Sequence, residues 1–139
     1  MSVPTYERKE SKIEFLDKAI QLHKFVASIL CERFSKKFTF YGINKTYEYA
    51  AKIAENCIKA NSYDLYTYYN ERTFLFNDAI ATLNCLSIQL TLIKEYSNKV
   101  TEKQWVKLGV DIANLRNYLK AIIKSDYINI LLTIVVKKD

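Results

Sequence analysis

The sequence predicts an all-α protein, an antiparallel up-down-up-down four-helix bundle. Three observations point there. Among 139 residues only two are Gly and one is Pro, whereas sandwiches and barrels need turn residues at every corner. Apolar residues make up 50% and charged residues 26%, the balance of a globular chain rather than a disordered one. Four long segments also carry apolar residues at alternating spacings of three and four, the helical period. The length suits one domain around one core. Residues 1–139 therefore read as a single unit, with helices at about 11–34, 45–61, 67–96 and 102–125 and a tail at 126–139.

The first helical segment has two stripes. Ile13, Leu16, Ile20, His23, Ala27, Leu30 and Phe34 form one, and Phe15, Ala19, Leu22, Val26 and Ile29 lie beside it. Together they make an apolar face wider than one bundle contact needs. Residues 35–44 break the pattern, with Gly42 and Asn44 as turn residues. The second segment carries Tyr47, Ala50, Ala51, Ala54, Cys57 and Ile58, a mostly small inner face that lets helix axes approach. The connection SYDLY leads to the third segment, where Phe76, Ala79, Leu83, Leu86, Leu90 and Ile93 form the stripe and Leu75, Leu92 and Tyr96 widen it.

The fourth segment has the sharpest local signal. Thr101 and Gln104 have the spacing of a capping box, and Val100 and Trp105 sit where a hydrophobic staple would close. Trp105, Leu108, Ile112, Leu115, Leu119 and Ile122 follow as a heptad-like seam, which favours near-parallel packing at about 20°. The tail from Tyr127 to Val136 is apolar and β-branched. It is too short to span a bilayer. Three roles fit it: extending helix four, pairing as a strand, or covering a neighbouring subunit. The N-terminal MSVPTYERKESK lacks the apolar core of a signal peptide, so a cytoplasmic protein without a membrane partner is expected.

The residues offer little for catalysis. The one histidine, His23, lies on an apolar stripe and reads as a satisfied core residue. No glycine-rich phosphate loop is possible with Gly42 and Gly109 alone, and no Glu-x-x-His pair of the di-iron bundles occurs. Cys31, Cys57 and Cys85 sit among apolar neighbours and read as small buried hydrophobes. The carboxylates Glu48, Glu55 and Asp78 are scattered, and Asp78 neighbours the apolar face of helix three. The expectation is a binding protein, not an enzyme, with no cofactor and no metal.

Basic residues carry more information. Formal net charge is +6, with 21 basic against 15 acidic residues spread along the chain. Arg116, Lys120 and Lys124 recur every fourth residue on helix four, and Lys103 and Lys107 pair near its start. Lys36 and Lys37 lie in the first connection among Phe34, Phe38, Phe40 and Tyr41. These seven cations are the candidate phosphate contacts for RNA or DNA. The tyrosines Tyr63, Tyr66, Tyr68 and Tyr69 suit a helix end or subunit interface.

Residues 71–93 resemble the third helix, and residues 101–125 the fourth, of the small four-helix-bundle proteins typified by the accessory variability determinant (Avd) of diversity-generating retroelements. That fourth helix typically ends in a run of the type "eigrmLGgWikS", which Leu119, Lys124 and Ser125 match. Arg116, Lys120 and Ala121 stand where the family often has glycines, and Ile122 at its usual Trp position. Residues 33–40, RFSKKFTF, resemble its short basic-aromatic first turn. The sibling family, the intervening-sequence proteins of large-subunit ribosomal RNA, shows a "SIPaNIAEG" segment that this chain lacks. The resemblance implies a basic, barrel-shaped homo-oligomer, a pentamer, that partners a reverse transcriptase and template RNA or cDNA during mutagenic copying. The alternative from the residues alone is a bundle that docks only other proteins.

Overall fold

The computed structural model describes residues 14–34, 42–97 and 99–138. Four α-helices account for nearly all of them: α1 (Glu14–Arg33), α2 (Asn44–Ser62), α3 (Tyr69–Lys94) and α4 (Glu102–Lys138). Each helix packs on the next, and α4 closes the ring on α1. Ordered cross-contacts give the directions. Lys107 lies over the Phe25 ring while Tyr118 bonds Glu14, so α4 runs against α1. Lys94 pairs with Glu102 while Arg72 pairs with Asp126, so α4 also runs against α3. Asn56 meets Asp78 and Arg72 meets the carbonyl of Ala60, so α2 runs against α3.

The core is the sum of four helical stripes. On α3, Phe76, Ala79, Leu83, Leu86, Leu90 and Ile93 are all buried, as their spacing predicts. Leu92 and Tyr96 do not widen that face, being 59% and 61% exposed. On α1 the second stripe, Phe15 to Ile29, enters the core, joined at the C-terminal end by Leu30 and Phe34 of the first. Leu16, Ile20, His23 and Ala27 of the first stripe stay half-buried on its flank. Two stripes 3–4 residues apart are equally helical, and only the placement of α2 and α4 chooses between them. On α2 the inner face is Thr46, Ala50, Ile53, Ala54, Asn56, Cys57 and Ala60. Tyr47 and Ile58, expected inside, are exposed.

Helix α4 starts as its sequence predicts. The Thr101 amide donates to Gln104 Oε1 at 2.9 Å, and the Gln104 amide donates to Thr101 Oγ1 at 3.1 Å. Val100 is buried beside the core, which Trp105 also flanks. The expected end near residue 125 is wrong. No glycine, proline or capping turn interrupts the chain there, and the helix runs on to Lys138. The tail is therefore helical rather than a strand. At 37 residues, α4 far exceeds the 20 of α1 and the 19 of α2. Its last turns overhang the bundle.

Candidate interaction surface on helix α4

The base of the overhang is tied down by a buried ion pair. Arg72 Nε donates to Asp126 Oδ2 at 2.7 Å, with the two side chains only 16% and 7% exposed. The same guanidinium donates to the carbonyl of Ala60 at 3.2 Å and lies 5.0 Å from the Phe76 ring. One cation thus joins the end of α2, the start of α3 and the middle of α4. Asp126 was legible in principle. It continues the seam of Leu115, Leu119 and Ile122 by one more step of four, and an acid at a core position demands a partner.

Beyond Asp126 the support ends. Tyr127, Ile128, Leu131, Leu132, Ile134, Val135 and Val136 are between 42% and 72% exposed. These residues cover rather more than half of the helix surface, with Asn129 and Thr133 on the remaining side, and no charged residue occurs from 127 to 136. So broad an exposed apolar face is uncommon on an isolated bundle. No helix of the described residues is long and apolar enough to cross a membrane.

Beside this base lies the α2–α3 turn, with Asn61 and Leu65 lining the same cleft as Ile122, Asp126 and Asn129. Asp64 organises the turn. Its Oδ2 accepts from the Thr67 hydroxyl and amide, both at 2.9 Å, and from the Tyr66 amide at 3.1 Å. The Thr67 bonds above all hold the Asp64 carboxyl below its ordinary pKa. Tyr63 and Tyr68 touch ring to ring at 5.2 Å, and Tyr66 is 61% exposed.

The seven sequence-predicted cations do not form one patch. Lys36 and Lys37 lie outside the described residues. Lys103, Lys107, Lys120 and Lys124 are exposed and Arg116 is half-buried. Lys107 pairs with Asp111 and turns toward α1 over Phe25. Arg116 is nine residues on, two and a half turns, which places it on the opposite side of the helix. Its Nε is buried without a hydrogen-bond partner among the described residues. Lys120 and Lys124 follow it outward, and neither they nor Lys103 has an ion-pair partner among the described residues.

Other singled-out residues have local roles. Asp78 accepts from Asn56 at 2.8 Å and pairs with Lys52 at 3.5 Å, which ties α2 to α3. His23 is not a satisfied core histidine: its Nε2 is buried without a hydrogen-bond partner among the described residues, and its ring stacks near Tyr47 at 5.1 Å. Cys57 is buried, and desolvation pushes its thiol up to about 12. Cys31 and Cys85 are exposed, contrary to expectation. Apolar neighbours in sequence do not bury a residue that points away from the seam.

No family model, curated protein or solved structure matches the chain.

Proposed function

We propose that this protein is a non-catalytic, self-associating accessory protein that holds RNA or cDNA beside a reverse transcriptase, as the resemblance to Avd implies. The observation that carries nucleic-acid binding is the charge of α4. The helix has seven basic residues against three acidic ones. Lys103, Lys120 and Lys124 stand exposed without a carboxylate in ion-pair range among the described residues. Such cations contact phosphates without reading sequence. The reverse transcriptase, the template and an assembly of five copies come from the resemblance alone. A reverse-transcriptase gene and a variable/template repeat pair beside this gene would support them.

The test is binding to RNA and DNA as a function of salt. Phosphate contacts release counterions, so affinity should fall steeply between about 50 and 200 mM salt. Lys120→Glu with Lys124→Glu should weaken binding across all sequences and flatten the salt slope by about 1 per lysine. Arg116 is kept native, because its enclosed Nε makes charge reversal a folding risk. Affinity indifferent to salt, or unchanged in the double variant, overturns the phosphate reading.

The exposed overhang favours a second reading, a bundle that docks proteins only. Filter binding with assorted RNA and DNA separates the two: no retention at low salt leaves protein docking.

A further inference from the structure

Gly109 is the only glycine inside the four α-helices, and nothing in the bundle calls for it. No glycine among the described residues has a positive φ, so the backbone does not require it. A Cβ at this position would meet no atom within 4 Å, so packing does not require it either. Glycine weakens a helix interior relative to Ala. What it provides here is bare backbone that a ligand can approach closely.

The bare backbone borders a notch of about 150 Å³ between α3 and α4. The buried Leu90, Leu108 and Ile112 line the notch, together with the Trp105 ring, Ser87 and Thr91. A space of that volume holds one benzene-sized ring. Lys94 sits over the Trp105 ring at 5.8 Å, where a flat ligand would stack. Its pair with Glu102 at 3.7 Å is solvent-exposed and so holds it weakly. A ring that takes its place leaves the ammonium at the mouth of the notch.

Charge selects the ligand. Trp105, Gly109, Arg116 and Lys120 follow one another at steps of four, seven and four, which puts them on one side of α4. Arg116 and Lys120 lie about 10 and 16 Å beyond Gly109 along the axis. Neither has an ion-pair partner among the described residues. Helix α3 carries no acid from Ala79 to Lys94. The one acid of α4 between Glu102 and Asp126 is Asp111, which pairs with Lys107 on the side toward α1. The groove thus offers an aromatic face and a ring-sized notch at one end and unneutralised cations further along. An unpaired base with its phosphates has the matching parts.

We infer that the α3–α4 groove takes single-stranded nucleic acid, with one base in the notch at Gly109 against Trp105 and the following phosphates on Arg116 and Lys120. At about 3.4 Å per stacked nucleotide, roughly three to five nucleotides span these positions. This rests on the nucleic-acid reading above and names its site. It also specifies the strand: a duplex keeps its bases stacked and paired, and none can enter. A second copy of the chain is a poorer occupant, because it would bring the same cations together.

Trp105 is the only tryptophan, so its fluorescence reports this site alone. A twelve-nucleotide oligo(dT) should quench it at low salt, and a duplex of equal length should not. Gly109→Leu fills the notch with a better helix former. It should weaken oligo(dT) binding about tenfold, the size of one lost stacking contact, and abolish the quenching. Its salt slope should stay as in the native chain, because the phosphate contacts remain. Lys120→Glu should do the reverse, lowering the slope by about 1 while quenching at saturation persists. Oligo(dT) that binds without quenching overturns the inference and leaves the phosphate reading standing. Unchanged affinity in Gly109→Leu, or equal quenching by duplex, also overturns it. A changed mass of Gly109→Leu in analytical ultracentrifugation would overturn it too, by placing a second copy in the notch. Absence of any binding removes both readings. Quenching of the native chain decides the matter even if the variant does not fold.

Discussion

The two halves of α4 are the same helix under different support. From Glu102 to Asp126 the chain is capped by a reciprocal Thr101–Gln104 pair. It is anchored by Leu108, Ile112, Leu115 and Leu119, each no more than 3% exposed. From Tyr127 to Val136 no side chain is fully buried, and five of the ten residues are the β-branched Ile or Val, at positions 128, 130, 134, 135 and 136. Such residues are only fair helix formers. Tertiary packing holds the first half, whereas the second continues it and has none of its own. The comparison teaches that helical continuity says little about what a segment is for.

The comparison breaks most visibly at the junction. Asp126→Ala would leave Arg72 buried without its acid, at a cost of about 3–5 kcal/mol. Chemical denaturation should show this loss. A change under 1 kcal/mol would mean that the pair is not the tie between the halves.

Next comes a matched truncation. Leu115→Ala should cost about 2–5 kcal/mol by opening a cavity. Leu132→Ala should stay within about 0.5 kcal/mol in dilute protein. An effect that grows with protein concentration would show that this segment is covered in a self-associated form. Equal costs at low concentration would show that the overhang folds back into its own bundle.

Smaller still is the cap. Thr101→Ala should cost about 1 kcal/mol and lower the melting temperature without altering mass. A changed oligomer would place the start of α4 in the interface.

The smallest effect is a pH dependence in the turn beside the overhang. The Asp64 carboxyl is held below its ordinary value, mainly by Thr67. Its folded pKa lies below the unfolded value of about 3.9. The contribution is therefore complete above that value and is lost as pH falls through the folded pKa. Protection of the amides in residues 64–68, relative to their intrinsic exchange rate at each pH, should fall below about pH 4 in the native chain. Asp64→Asn should remove most of that pH dependence.

Much of the bundle was legible. The α3 stripe and the α4 seam were readable residue by residue, because spacing and burial coincide when a helix has one apolar face. The cap of α4 was readable because a capping box is local. The α1 stripes were ambiguous, since both have the right period. Tyr47 and Ile58 were misjudged because hydrophobicity alone does not orient a side chain. The overhang was half visible. The apolar tail stood out, while Arg72 and Asp126, 54 residues apart in the chain, gave no sign of each other.

The sequence by itself determined that this chain is helical, where its fourth helix begins and which residues of α3 and α4 line a core. Those properties depend on neighbours within a few residues, and so on spacing, caps and the scarcity of Gly and Pro. Tertiary structure alone decided which α1 stripe is inside, that Lys107 and Arg116 take opposite sides of α4, and where the bundle ends beneath a helix that does not. Burial, ion pairing and exposure depend on what other helices bring close, and no local pattern encodes that.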